Sequence, residues 1–388
     1  MKQSPSIKAT RWGICASLLF LALGSAGVTS ATLAQSIASG RPILGTTTRD
    51  WTIQVVSDAL DYPWDIVHDG NRLILTEKAG SIVMIEGGTL RRFALETSDP
   101  LRKQSGAGLL GIALAPDFAA NGNAFFYHSY ERGSFPLNRI IRARFNGSVW
   151  RETGVLVDAI PGHPLYNGGR IAIGPDGHLY ATTGWTENRD RPQDLGNLAG
   201  KVLRLTLDGA VPADNPFPAS LVYSYGHRNP QGIAWNNAGE LFVAEHGQTA
   251  LDEINLVRPG GNYGWPIISG DEVRAGMEAP FLHSGRPTWA PSGVAFAGND
   301  LLVAALQEGG LLVLDRANRR LVSFFDGGER YRQVLPVGGD LYVITTNRSP
   351  RRTAIPALTL TLTRLSALGF SHRRLSAALS ALKAGNPH

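Results

Sequence analysis

From about residue 45 to residue 347 one short pattern recurs: a turn residue, usually Gly or Asn, then Leu or Phe, then alternating apolar and polar positions. It stands at Gly70–Leu75, Gly122–Tyr127, Gly177–Ala181, Gly239–Val243, Asn299–Val303 and Gly339–Val343, six copies in all. The copies lie roughly 40 to 60 residues apart, the interval of a four-stranded unit with variable loops. Period-two alternation, as in Lys201–Leu205, supports strands, and no long stretch between residues 40 and 350 has helical periodicity. The pattern predicts an all-β fold, a six-bladed β-propeller of four-stranded antiparallel blades. A β-sandwich rich in hairpins is the competing architecture, and six regular copies favour the propeller. Gly and Pro are scattered and mark turns, so residues 45–347 are expected to form one domain.

The two ends differ from this body. Lys2, Lys8 and Arg11 precede an apolar run from Ile14 to Leu23, and small residues follow to Ala31 and Ala34. That is the layout of a cleaved secretory signal, expected over residues 1–34. The apolar run is shorter than the roughly 20 residues of a bilayer span, so no stable membrane span is expected in the mature chain. Cys15, the only cysteine, falls inside this segment. A mature chain without thiols suits a periplasmic or secreted protein whose core needs no disulfides. After Asp340 come seven basic residues and no acid, and Ser371–Lys383 could form a basic amphipathic helix. Residues 348–388 thus form an atypical basic tail, in which Ala357–Thr363 alternates as a strand that could close the last blade. The formal charge of +5 comes from the two ends, the body being net acidic. A basic patch on the fold is not implied, and nucleic acid is discounted as a partner.

The richest chemistry lies between Tyr225 and Pro266, which joins Tyr-Gly-His-Arg-Asn-Pro-Gln-Gly, Ala-Glu-His-Gly, Asp-Glu-Ile-Asn-Leu and Gly-Gly-Asn-Tyr-Gly-Trp-Pro. Arg228 and Asn229 can grip a polyanionic or carbonyl-rich ligand. His246-Gly247-Gln248 reads as a loop whose small residue lets backbone oxygens turn toward a cation. Arg330 and Arg332 alternate on a strand, which places both on one face, either aimed at one ligand or simply solvated.

These runs, with Gly108–Ala113, Asn167–Gly177 and Leu198–Arg204, resemble the soluble pyrroloquinoline quinone (PQQ)-dependent sugar dehydrogenases of the glucose/sorbosone dehydrogenase family, over about residues 50 to 347. The resemblance implies a six-bladed propeller carrying PQQ and Ca2+ on one face and oxidising the anomeric carbon of aldoses. It implies that Arg228 and Asn229 contact quinone and sugar, the guanidinium neutralising charge that builds on the quinone oxygen. Arg330 and Arg332 would meet the quinone carboxylates, and backbone oxygens of Gly247 and Gln248 would hold calcium. Glu253 and Tyr263 resemble a second, structural calcium site, although Glu253 could equally bond loop amides. His227 and His246 are expected to be structural.

The departures fall in the catalytic half. Tyr166 stands where the family has its general-base histidine, with His163 three residues upstream, and Trp185 stands where it has the carboxylate that orients that base. Abstracting hydride from a sugar carbon needs an acceptor for the hydroxyl proton, and tyrosine, with a reference pKa of about 10, is mostly protonated at neutral pH. Gly106 replaces a Gln or Glu, Gln307 replaces a quinone-binding cation, and the family's closing Gly- and Asp-rich strand is not legible after Thr345. Two functions are therefore expected to compete. One is an exported PQQ-dependent sugar oxidoreductase with altered activity, passing electrons to a small acceptor. The other is a non-catalytic propeller that binds a sugar or glycan. A calcium-dependent lactonase would want a carboxylate cluster, and none is apparent.

Overall fold

The computed structural model describes residues 42–307, 310–349 and 359–368. The expected signal segment and the helix expected over Ser371–Lys383 lie outside these residues. The described chain is all-β. Strand β1 spans Trp51–Ser57, and β2 (Pro63–His68), β3 (Leu73–Glu77), β4 (Ser81–Glu86) and β5 (Thr89–Glu96) follow. Next come β6 (Leu109–Leu114), β7 (Asn123–Arg132), β8 (Phe135–Phe145) and β9 (Trp150–Pro161), then β10 (Gly168–Ile173), β11 (Leu179–Thr183), β12 (Lys201–Leu205) and β13 (Val222–Tyr225). The second half holds β14 (Pro230–Trp235), β15 (Leu241–Glu245), β16 (Glu253–Val257) and β17 (Leu282–His283), followed by β18 (Pro291–Ala297), β19 (Asp300–Ala305), β20 (Leu311–Asp315) and β21 (Arg320–Phe325). Strands β22 (Tyr331–Val337), β23 (Asp340–Thr345) and β24 (Leu362–Ala367) complete the strands of the described residues.

β10–β13, β14–β17 and β18–β21 are each a four-stranded antiparallel sheet. β2–β5 and β6–β9 pair likewise, and the two groups merge into one eight-stranded sheet through a short parallel contact of β5 with β9. The last sheet runs β22-β23-β24-β1, so the N-terminal strand pairs with the strand drawn from the basic tail. That tail strand begins at Leu362, later than the alternation over Ala357–Thr363 indicates. Before it, Thr345 Oγ1 bonds Thr359 and Thr361, and Glu329 accepts from Thr359 N–H, so side chains satisfy that stretch.

The six recurring sequence patterns are the second strands β3, β7, β11, β15, β19 and β23. β3, β11 and β15 are buried along their whole length. Their alternation is therefore not a solvent face: second strands are packed between neighbouring sheets on both sides. The first strands form a ring in which β2 packs on β6, then β10, β14, β18, β22 and back to β2. The core is apolar; Trp150, fully buried, meets the rings of Phe118, Phe126 and Phe145 at 5.1–5.9 Å.

Each first strand breaks register against its second strand near its own start, between Pro63 and Asp65, Leu109 and Ile112, Gly168 and Ile171, Pro230 and Gly232, Pro291 and Val294, and Tyr331 and Gln333. Such bulges bend a strand and re-aim its side chains. Here they deliver Asp65, Arg170, Gln231, Ser292, Arg332 and Gln333 into one polar network. Arg170 pairs with Asp65 and donates to Gln231 O at 2.9 Å. Arg332 donates to Gln231 Oε1 at 2.8 Å and Ser292 Oγ at 3.2 Å, and Gln333 donates to Asp65 Oδ1 at 3.0 Å. Among the described residues no helix is long and apolar enough to cross a membrane.

Candidate active site

In an antiparallel hairpin the start of the first strand lies beside the end of the second, so the chain presents functional residues on one rim. Tyr62, Gly106, Tyr166, Arg228, Asn229 and Arg330 lead into first strands, and Lys78, Trp185, Gly247, Gln248 and Gln307 follow second strands. A cavity of about 380 Å³ opens beside this rim, lined by Arg228, Glu245–Leu251, Glu253, Tyr263, Trp265, Ile268 and Ser269.

Arg228 is buried and caged by three aromatic rings: its guanidinium lies 4.8 Å from Tyr166, 5.3 Å from Trp265 and 5.6 Å from Trp185. Trp185 meets Trp265 edge-on at 5.2 Å and Tyr166 at 5.9 Å. Arg228 donates from Nη1 to His246 O at 3.1 Å, and its hydroxyl neighbour is Tyr166. Among the described residues its Nε has no hydrogen-bond partner, and neither do the indole N–H groups of Trp185 and Trp265. Burial pulls the guanidinium below its ordinary pKa, partly offset by Tyr166 and the acids Glu245 and Asp252. Asn229 is buried, and its side-chain oxygen accepts from Gly168 N–H at 3.1 Å.

His246 lies between the charges of Arg228 and Arg332, and burial keeps it neutral. Its Nε2 is buried without a hydrogen bond among the described residues. His227, in contrast, engages both ring nitrogens, with Ser224 Oγ at 2.8 Å and Glu245 Oε2 at 3.3 Å. Arg332 is 3 % exposed with an unpartnered Nε, and burial brings it down to about 10. The charges of Arg330 and Arg332 both act on the Tyr62 phenol. Arg330 precedes β22 and Arg332 sits at its register shift between Tyr331 and Gln333. Gln307 is exposed, its backbone N–H donating to Trp289 O.

The loop after β15 winds around Gly247. Its N–H donates to Asp252 Oδ1 at 2.9 Å, while Asp252 Oδ2 holds Thr288 Oγ1, Trp289 N–H and Ala290 N–H. A Cβ on residue 247 would strike the carbonyl oxygens of Ala250 and Leu251, which crowd onto this glycine. Glu253 faces Glu245 at the floor of the cavity, and Asn255 Nδ2 bonds both carboxyl groups. Burial raises both acids, and Glu253 most, because Glu245 opposes its ionisation. Tyr263 turns its hydroxyl away from the pair to Leu256 O at 2.7 Å and stacks its ring on His227 at 4.7 Å.

The Glucose / Sorbosone dehydrogenase family model matches residues 60–353. The chain belongs to the glucose/sorbosone dehydrogenase family. It is 31% identical over 352 residues to aldose sugar dehydrogenase YliI of Escherichia coli K12, covering 76% of this chain and 90% of that protein. It is 33% identical over 234 residues to quinoprotein glucose dehydrogenase B of Acinetobacter calcoaceticus, covering 52% of this chain and 49% of that protein. The PQQ-bound aldose sugar dehydrogenase of Streptomyces coelicolor superposes with a TM-score of 0.74 at 32% identity, over 81% of this chain and 98% of that one. The apo form of the soluble E. coli aldose sugar dehydrogenase gives 0.71 at 27% identity, over 82% and 99%. The sheets described above are thus those of a β-propeller dehydrogenase family.

Within this family frame three of the departures, Gly106, Tyr166 and Trp185, cluster in space. A Cβ on Gly106 would lie 2.7 Å from the carbonyl oxygens of Pro164 and Leu165, so the loop carrying Tyr166 rests where a larger residue at 106 would stand. His163 stacks on Tyr166 at 5.4 Å and 8°, accepts from Leu165 N–H at 3.1 Å, and meets Glu187 at 3.3 Å. With Nδ1 accepting and Nε2 facing the acid, His163 clamps the loop. Sequence reasoning missed Trp265, Lys78, Tyr62 and the Glu187 contact. Of these only Trp265 carried a signal, its Gly-Trp-Pro setting within the richest run.

Proposed function

We propose that this protein is an exported, six-bladed quinoprotein that oxidises the anomeric carbon of an aldose to a lactone, with turnover altered at the proton-accepting position. The ring of six first strands supports the blade number, and family membership supports a PQQ-type sugar oxidoreductase as the general class. The observation that carries the reading is the arc from Arg228 through His246 to Arg332, with two buried guanidiniums that form no ion pair among the described residues and keep unpartnered Nε–H donors. Buried cations without counter-ions are costly, and an anionic planar ligand relieves them. The residues therefore fit PQQ, which when bound accepts a hydride from the sugar. Arg228, Arg330 and Arg332 would hold its anionic groups, with Asn229 donating from its amide. Gln307 is the neutral residue where a further cation is expected. Arg228 is buried within the aromatic cage, so its charge acts at a lower local dielectric than on the surface. Tyr166, whose ring lies 4.8 Å from the Arg228 guanidinium, would accept or relay the sugar's hydroxyl proton. Gly247 and Gln248 line the cavity, and their carbonyl oxygens would be ligands for Ca2+, a hard cation that takes oxygen donors. Glu253 and the backbone of Tyr263 are the corresponding groups for a second calcium.

The same cage supports a second reading. Tyr166 and Trp185 put aromatic rings where the family has an imidazole and a carboxylate, and Trp185, the less buried of the two, could stack on a sugar ring. A glycan-binding propeller without turnover would use them. The N-terminal layout supports a periplasmic or secreted location, and an active enzyme there needs a small electron acceptor. Reconstituting the mature protein with PQQ and Ca2+, then adding aldoses and an artificial acceptor, separates the readings. A quinone absorbance shift followed by reduction supports the oxidoreductase. A shift without turnover selects the binding protein, and no shift overturns the quinoprotein.

A further inference from the structure

A second group of cations stands beside the axis, apart from the Arg228 cage. Tyr62 leads into β2 with φ of +55°, and its buried hydroxyl has no hydrogen-bond partner among the described residues. Lys78 follows β3, is 5 % exposed, and holds its ammonium 4.6 Å from the Tyr62 ring centre. The two are tied by Lys78 N–H donating to Tyr62 O at 3.1 Å, and Lys78 Nζ donates to Ser105 O at 2.5 Å. Arg332 acts on the Lys78 ammonium, and Arg330, Arg332 and Arg348 all act on the Tyr62 phenol. The nearby acids are committed elsewhere: Asp61 pairs with Arg348 at 2.8 Å and Glu77 with Arg92 at 2.9 Å. Neither Lys78 nor Arg332 forms an ion pair among the described residues.

Like charges drawn together around an unsatisfied buried O–H are unfavourable in the protein alone. One carboxylate resolves the arrangement, because it accepts from the phenol and the ammonium together and supplies the missing negative charge. We infer that Tyr62 and Lys78 are carboxylate-binding residues that form, with Arg332, a clamp for one carboxylate of the anionic quinone. This rests on the quinoprotein reading and adds to it two residues from the first blade, on the side of Arg332 away from Arg228. It also gives the site a cation that compensates for the neutral Gln307.

The full protein with Ca2+ is titrated with PQQ, following quinone absorbance and tryptophan fluorescence at fixed salt. Losing a charge-assisted bond costs about 1.5 to 3 kcal/mol, so Lys78→Met is expected to weaken binding about tenfold or more. Tyr62→Phe, which removes one oxygen and preserves packing, is expected to weaken it a few-fold, and Lys78→Arg to keep affinity within about threefold. With the trimethyl ester of the quinone the differences between variants should vanish. Unchanged PQQ affinity in both Lys78→Met and Tyr62→Phe overturns the clamp and leaves the quinoprotein reading standing. Equal losses with the ester also overturn it, since they would report packing alone. If the unsubstituted protein shows no quinone binding, the functional reading falls and the clamp with it.

Discussion

Lys78 should be a liability in the protein alone, and its substitution by methionine measures how large. Its ammonium is buried without an acid; burial, reinforced by Arg332, lowers its pKa from 10.5 to about 7. At about 1.4 kcal/mol per pH unit that fall sets an upper bound of about 5 kcal/mol on the cost of burying the charge. Methionine fills similar volume and removes the charge, but leaves Ser105 O without its donor and loses the contact with the Tyr62 ring, together about 2 kcal/mol. Below pH 7 both the folded and unfolded chains hold the proton, so the cost is fully present. Between about pH 7 and 10.5 only the unfolded chain holds it, so the unsubstituted protein gains stability as pH rises. The variant should therefore be more stable by about 2 to 3 kcal/mol at pH 6, and the advantage should shrink steadily and disappear by about pH 9 to 10. Urea unfolding of both proteins at pH 6, 8 and 9.5 reads this difference, in which all shared titrations cancel. A stability difference that does not change with pH would refute the argument, because it would mean that Lys78 carries no unfavourable buried charge.

Tyr166→His combined with Trp185→Asp should raise aldose turnover of the PQQ-loaded protein about a hundredfold, by restoring an imidazole base and its orienting carboxylate. Bound quinone with no gain in rate would show that more than the base is altered. Gly106→Gln should lower stability by about 2 to 4 kcal/mol, because its Cβ meets the Pro164 and Leu165 carbonyls at 2.7 Å. An unchanged thermal midpoint would show that the Tyr166 loop yields freely. Arg228→Met should leave folding intact, since it removes a buried cation with no ion-pair partner, while PQQ affinity falls about tenfold or more by absorbance titration. Undiminished affinity would remove Arg228 from the quinone site.

The recurring second strands were legible because they are largely buried on both faces, so the turn residue and apolar run survive loop variation. Runs such as Gly239–Val243 announce β15 without any knowledge of its neighbours. Arg228, Asn229 and the Gly247 loop were legible for a related reason: they sit at the junctions of those strands, where backbone geometry restricts the sequence. Lys78 and Tyr62 were not. In sequence Lys78 is an ordinary lysine after a strand, and only the return of β22 to the first blade sets Arg332 beside it.

The departures at Gly106, Tyr166 and Trp185 show the same division. Sequence alone determined the all-β character, the family resemblance and the identity of the changed residues, because these depend on local pattern and spacing. Only the tertiary structure decided that Gly106 makes room for the Tyr166 loop, that Tyr166, Trp185 and Trp265 close around Arg228, and that bulges in the first strands turn Asp65, Arg170 and Arg332 toward one axis. Those facts depend on pairs of residues tens to hundreds of positions apart, whose contact is set by closure of the ring, and whose charges acquire their pKa values from the burial that closure imposes.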